Sequence, residues 1–176
     1  MSPDYLKKLS WQEILESLRD RCLPDPLIAS AIVRLGKPFD ERRINAAKKV
    51  VASYLEHPDS LIRHEAIWFL ACWGKLREYR AAIIQAMKND PDEDNRGFAA
   101  NCLGVLESGT KDKDSPRALA EVVRNASEEP RVRVKAYGAL LEVFYGEGAS
   151  ELSYPFQMGD KDLSEVNWKW LESIAP

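Results

Sequence analysis

Three stretches of this chain lie over one another. They read HPDSLIRHEAIWFLACWG from His57, DPDEDNRGFAANCLGVLE from Asp90 and SEEPRVRVKAYGALLEVF from Ser127. In register they align an acid, an arginine, an alanine and a leucine: Asp59, Arg63, Ala66 and Leu70, then Asp92, Arg96, Ala99 and Leu103, then Glu129, Arg133, Ala136 and Leu140. The first offset is 33 residues (59 to 92) and the second 37 (92 to 129), with the extra four in the polar stretch SGTKDKD, where a stacked repeat accepts insertions. Such a repeat constrains the fold more than any single motif. One unit cannot bury its apolar face alone, so neighbours have to stack into a continuous core.

The periodicity inside and around the copies is helical. Before the second copy Tyr79, Ala82, Ile83, Ala86 and Met87 share a face, and before the third Leu119, Val122, Val123 and Ala126 do. Each unit is therefore a helix pair, and the third opens on Ser115-Pro116, a cap and a first-turn proline. Near the N-terminus Trp11, Ile14, Leu15, Leu18 and Cys22 form one stripe, begun by a Ser10/Glu13 capping box with Leu9 and Ile14 as a hydrophobic staple. A short helix follows from Leu27 to Leu35, between Pro24-Asp25-Pro26 and a stop at Gly36 and Pro38. PDPLIAS there is similar to PDSLIRH at Pro58, which makes it a degenerate copy. After Gly146 the stretch GEGASELSYPFQMGDKD has loop composition. It leads to a last helix carrying Leu163, Val166, Trp170 and Ile174 on one face, with Asp162 and Glu165 at cap and third positions.

On these residues the chain resembles HEAT repeat proteins, close to the short HEAT-like repeats of phycobilisome lyase-type proteins, over residues 24–145. The family pattern is a helix, a turn carrying aspartate, and a second helix with valine-arginine near its start. Asp59 and Asp92 match the aspartate with Glu129 standing in. Arg63, Arg96 and Arg133 match the arginine. Ile62 and Val132 precede two of the arginines, but Asn95 departs from the pattern. The resemblance implies an all-α, right-handed α-α superhelix, a solenoid of stacked antiparallel helix pairs. It would form one domain: an N-terminal cap and degenerate copy over 1–39, three pairs over 40–145, and a loop with a capping helix over 146–176. The family includes scaffolds, transport factors, lyases and a few DNA glycosylases, so the resemblance specifies a fold better than a function.

Composition narrows the classes. With 28 acidic against 25 basic residues the net charge is −3, and no global positive field draws the chain to nucleic acid. Charges interrupt every apolar run, so neither a membrane span nor a secretory signal is expected, and Asn125-Ala126-Ser127 carries no consequence as a glycosylation acceptor. Cys22, Cys72 and Cys102 are odd in number and far apart, which fits a reducing cytoplasm and buried packing rather than disulfides or zinc. His57 and His64 make no metal site between them, and their expected roles are solvated or capping ones. No nucleophile constellation, phosphate loop or carboxylate pair stands out, so no cofactor and no catalysis are expected.

The repeated acid and arginine have a structural role to play: the acid caps a helix start, and the arginine forks onto a carboxylate of its own or the next copy. Among the tryptophans, Trp11, Trp73 and Trp170 fit core-facing stripes. Trp68 differs, since it lies away from Ala66 and Leu70, at the register position of Asn101 and Gly138. The resemblance implies that second helices line a concave face. His64, Glu65 and Trp68 would project there, with Gly97, Phe98 and Asn101, then Val134 and Lys135, at corresponding places. The expected function is capture of a protein partner on His64, Glu65, Trp68, Phe98, Asn101 and Lys135, as an adaptor or as an immunity protein facing a basic toxin. The alternative is a nucleic-acid enzyme resembling the HEAT-like DNA glycosylases, using Arg63, Arg96, Arg131, Arg133 and Lys135 on phosphate and Trp68 for stacking. A bilin lyase is a third option, resting on the resemblance alone.

Overall fold

The structure is a computed structural model that describes residues 4–37, 39–110, 113–146 and 150–174. Helices are joined by turns, and no strand occurs among the described residues. No helix there is long and apolar enough to cross a membrane. The stop signal at Pro38 and the residues Lys111, Asp112 and 147–149 of the expected loops lie outside the described residues. The chain divides into two compact units between Leu76 and Arg77, inside the stretch read from sequence as one array.

The first unit holds α1 (Asp4–Lys7), α2 (Trp11–Arg19), α3 (Asp25–Gly36), α4 (Glu41–Ala52) and α5 (Ser60–Trp68). The expected capping box starts α2: the Glu13 N–H donates to Ser10 Oγ and the Ser10 N–H to Glu13 Oε2. Ile14, Leu15 and Leu18 are buried as the stripe requires. Cys22 is not: α2 ends at Arg19, and the thiol is exposed and donates back to the Asp20 carbonyl. The residues beyond the last turn have left the helix, so the 3.6-residue stripe no longer applies to them. Helix α2 packs on α3 and α4, and α3 on α4 and α5. First helices therefore meet first helices and second meet second, around a core of Ile14, Leu18, Ile32, Leu35, Ile62 and Leu70. Tyr54 is buried in this core with its hydroxyl donating to the Leu18 carbonyl, which satisfies the one polar atom it brings in. Helix α5 runs on as a single π turn, Phe69–Trp73, which inserts an extra residue into the helical ladder.

The second unit holds α6 (Arg80–Asn89), α7 (Glu93–Leu106), α8 (Asp114–Arg124), α9 (Pro130–Tyr145), α10 (Ser150–Met158) and α11 (Trp168–Ile174). Helix α6 packs on α7 and α8, α7 on α9, and α8 on α9. Ile83, Met87, Leu119, Val122 and Val123 are buried as predicted, whereas Ala126 is exposed because α8 ends two residues before it, at Arg124. The aligned alanines and leucines Ala99, Leu103, Ala136 and Leu140 are all fully buried.

Two expectations for the C-terminal region are corrected. The stretch read as a loop forms α10, with Pro155 inside it, packed on α9. Its packing supplies what composition withholds: Phe156 is buried against Tyr137, ring centroids 4.8 Å apart. The last helix is shorter than its stripe. The Asp162/Glu165 capping box is present but starts only a 3-10 turn, Leu163–Glu165. The Asn167 side chain then accepts from the Trp170 N–H and begins α11 anew. Val166 and Leu171 are buried, and Trp170 is half-buried against Tyr137, Phe144 and Tyr145.

Candidate functional site

The aligned acids and arginines build the turns that set each second helix. Asp59 accepts from the N–H groups of Leu61 and Ile62, and Asp92 from that of Asn95, so both cap their helices. Glu129 occupies the same place but makes no side-chain cap bond, and Pro130 at the first helical position leaves one fewer N–H to satisfy. Each arginine turns inward. Arg63, only 6% exposed, donates from one nitrogen to the carbonyls of His57 and Pro58, both at 2.8 Å. Arg96 donates to the Asp90 carbonyl at 2.9 Å and forks onto Glu128, the neighbouring copy's carboxylate, at 2.8–3.2 Å. Arg133 donates to the Val123 carbonyl at 2.9 Å. His57 belongs to the same turn, its Nδ1 accepting from the Asp59 N–H at 3.1 Å.

In the first unit this turn presents α5 with a mixed face. Leu61 is 57% exposed and Trp68 38%, while His64 and Glu65 between them are half-buried. The spacing i, i+3, i+4 and i+7 puts the four on one side of the helix. Trp68 stacks on Trp73 with centroids 5.6 Å apart at 28°, and His64 meets Trp68 edge-on at 5.9 Å. Trp73, read from sequence as a core residue, is half-buried and lies directly on Gly36 of α3. A Cβ at Gly36 would stand 1.9 Å from the indole Cε3. Only glycine admits the ring there, so the aromatic pair depends on that absence of a side chain.

Glu65 is the electrostatic oddity of this face. Its Oε2 is sealed from solvent with no hydrogen bond. Burial pushes its carboxyl above the ordinary range, and Lys37 at the end of α3 pulls it back only in part. Beside the aromatic pair lies an open cavity of about 440 Å³ lined by Phe39, Glu41, Ile44, Asn45 and residues 73–76. Phe39 and Lys75 at its rim both hold positive φ, 67° and 46°, and Phe39 is 62% exposed. Sequence reading passed over Phe39. Left-handed backbone on a bulky residue leaves no mark in hydrophobic periodicity.

In the second unit the same register positions lie under α10. Asn101 Nδ2 donates to the Gln157 carbonyl at 3.3 Å. A Cβ built on Gly138 would stand 2.9 Å from the Ser153 carbonyl, Phe156 Cβ and Gln157 Cγ, so α10 crosses α9 at the one residue that lets it come so close. One turn on, Glu142 accepts from Ser153 and Ser108 with its two oxygens, at 2.9 and 3.1 Å. The fit is incomplete, because Asn101 Oδ1 and Gln157 Nε2 are buried without partners. Phe98 is half-buried, and Lys135 lays its stem over Gly97. Burial and the Arg131 charge hold the Lys135 amine below its usual range, against the pull of Asp94.

The residues expected to bind a partner thus fall in two sets, His64, Glu65 and Trp68 on α5, and Phe98, Asn101 and Lys135 on α7 and α9. Of the basic residues that a nucleic-acid enzyme would present, Arg63, Arg96 and Arg133 are committed to backbone carbonyls or Glu128, and Arg131 pairs with Asp94 at 3.1 Å. Trp168, also passed over, is 38% exposed beneath the Arg133 guanidinium, 5.9 Å from its ring centroid. Compared with known proteins, the chain matches no family model and no curated protein.

Proposed function

We propose that the chain is a noncatalytic binding protein of the HEAT-like kind, a right-handed superhelix of helix pairs that captures a protein partner on its second helices, at His64, Glu65 and Trp68. One observation carries the reading. A single register position of the repeat lies against a helix of the chain itself in two copies, Asn101 and Gly138 under α10, and in the remaining copy holds a tryptophan with 38% of its surface exposed. A face that receives α10 in the second unit has the geometry to receive a partner's helix on α5. Tryptophan is the side chain most enriched where interfaces concentrate their binding energy. The arginines favour a protein over a nucleic acid, since they are spent on turns rather than held out to phosphate. A net charge of −3 suits a basic partner, as an adaptor or immunity protein in the cytoplasm would meet.

The test is capture from native lysate with the wild type, Trp68→Ala, and Lys49→Ala as a control on the exposed side of α4, with helicity checked by circular dichroism. The reading expects a protein held by the wild type and the control and released by folded Trp68→Ala. Retention by Trp68→Ala, or capture by none of the three, refutes it.

A further inference from the structure

We infer that the cavity beside α4 is a small-molecule site for an aromatic α-amino acid, its ring against Trp73 and Phe39, its ammonium at Glu41 and its carboxylate at Lys75. The inference goes beyond the reading above and does not depend on it.

Three backbone irregularities meet at this one cavity of about 440 Å³, a size within the roughly 300–1,000 Å³ of small-molecule sites. The single π turn Phe69–Trp73 ends at it and brings Trp73 into its lining. Turns with one extra residue are frequent at functional sites. Among the described residues three other than glycine hold positive φ, and two of them, Phe39 and Lys75, line the cavity. Left-handed backbone on a phenylalanine is unfavourable and persists only where its surroundings fix it. Here they do: the Phe39 N–H donates to the Gly36 carbonyl at 2.8 Å, and beyond the π turn the Leu76 N–H donates to the Leu70 carbonyl at 2.9 Å. The fold thus holds an aromatic side chain 62% exposed at the rim, where burying it would be favourable.

The lining supplies chemistry to match. Ile44 and Leu76, both buried, and the half-buried Trp73 give the cavity its apolar surface. Glu41 and Asn45, one turn apart on α4, and Lys75 add a carboxylate, an amide and an ammonium, all three exposed. None of the three makes a side-chain hydrogen bond or ion pair among the described residues, and Glu41 and Lys75 do not pair with each other. A purely anionic ligand is repelled by Glu41 and a purely cationic one by Lys75. A ligand that carries both charges is attracted by each, through charge-assisted hydrogen bonds. The Asn45 amide, donor and acceptor at once, suits either of its charged groups. An aromatic ring suits the Trp73 and Phe39 side chains. A small molecule with an ammonium, a carboxylate and an aromatic ring is an aromatic α-amino acid, whereas a residue inside a peptide chain has neither charge.

The probes are L-phenylalanine, N-acetyl-phenylalanine, phenylalaninamide and L-alanine, titrated into the full chain by isothermal calorimetry. Phenylalanine should bind at least about tenfold more tightly than the two derivatives, which lack the ammonium and the carboxylate in turn, and than alanine, which lacks the ring. Glu41→Gln should abolish the preference for a free ammonium and keep that for a free carboxylate, and Lys75→Gln should do the reverse. Both side chains are exposed, so circular dichroism should show each variant folded like the wild type. No binding of phenylalanine at millimolar concentration, equal binding of phenylalanine and its two derivatives, or preferences that survive both substitutions overturns the inference. None of these results bears on protein capture by α5, which stands or falls on Trp68→Ala.

Discussion

Replacing Gly138 with alanine puts the docking of α10 to a quantitative test, because two other glycines in the same unit serve as internal controls. All three sit inside helices, where glycine to alanine gains about 0.5–1 kcal/mol of backbone propensity if the methyl finds room. At Gly138 it does not: the new Cβ would lie 2.9 Å from the Ser153 carbonyl oxygen, Phe156 Cβ and Gln157 Cγ, two of which cannot swing aside. Either α9 and α10 separate under overpacking, at a cost of about 1–3 kcal/mol, or α10 lifts and exposes Phe156, which forfeits about 1.5–3 kcal/mol. The net effect is a loss of about 1–2 kcal/mol. At Gly97 the nearest atom is Lys135 Cδ at 2.8 Å, the middle of a flexible stem, so the propensity gain survives and the variant is more stable than wild type. At Gly104 the neighbours are Cα, Cβ and the carbonyl oxygen of Ala139 at 2.9–3.1 Å, backbone that cannot yield, and the loss should at least match that at Gly138. Urea unfolding followed by circular dichroism ranks the three. Limited proteolysis should cut Gly138→Ala faster than wild type near Gly159. A Gly138→Ala protein as stable as Gly97→Ala would refute the close crossing of α10 over α9.

Two further outcomes follow from the turns and from Glu65. Asp59→Ala should cost about 1 kcal/mol through loss of two N–H acceptors, whereas Glu129→Ala, whose side chain caps nothing, should stay within about 0.5 kcal/mol of wild type, both read from urea midpoints. Because burial raises the folded-state affinity of Glu65 for a proton, its contribution to stability is greatest below the ordinary carboxylate range and declines as pH rises toward the raised folded value. Glu65→Gln should therefore stabilise the protein by up to about 1 kcal/mol at about pH 7 and give no gain at about pH 4. Destabilisation at about pH 7 would contradict the absence of a donor at that carboxylate.

What could be read from the residues alone was whatever is decided within one turn of helix. The Ser10/Glu13 box, the caps at Asp59 and Asp92 and the buried alanine and leucine positions rest on short spacings and are found; the expected arginine-carboxylate fork is seen at Arg96 on Glu128, whereas Arg63 and Arg133 donate to backbone carbonyls. The misses come from contacts made far along the chain. Helix α10 looks like a loop because Pro155 inside it and the glycines and acids that flank it argue against a helix, and the close approach that Gly138 allows makes the helix worthwhile. The π turn after Trp68 is equally hidden, since apolar residues fill all five of its positions and no period distinguishes one extra residue. Trp73 then leaves the core stripe and lies across Gly36, a pairing that 37 residues separate (36 to 73).

One register position therefore has three fates in one chain. Glycine at 138 lets α10 approach until main chain and main chain nearly touch; asparagine at 101 holds the same helix by a single hydrogen bond and leaves its own oxygen unmatched; tryptophan at 68 presents an indole to solvent. The backbone slot is the same, so the difference lies in what each side chain allows to sit above it. The backbone-close crossing that glycine permits is ruled out by the bulk of an indole, so a helix that docks on α5 has to rest on the ring instead of on the backbone. Under the proposed function, that difference separates a joint internal to the fold from a surface for a partner. The exchange Trp68→Gly should weaken partner capture while the first unit keeps its helicity by circular dichroism, at a stability cost of at least the roughly 1 kcal/mol of a helix glycine. Capture that survives the loss of the whole indole would mean that the register position does not decide the role of the face.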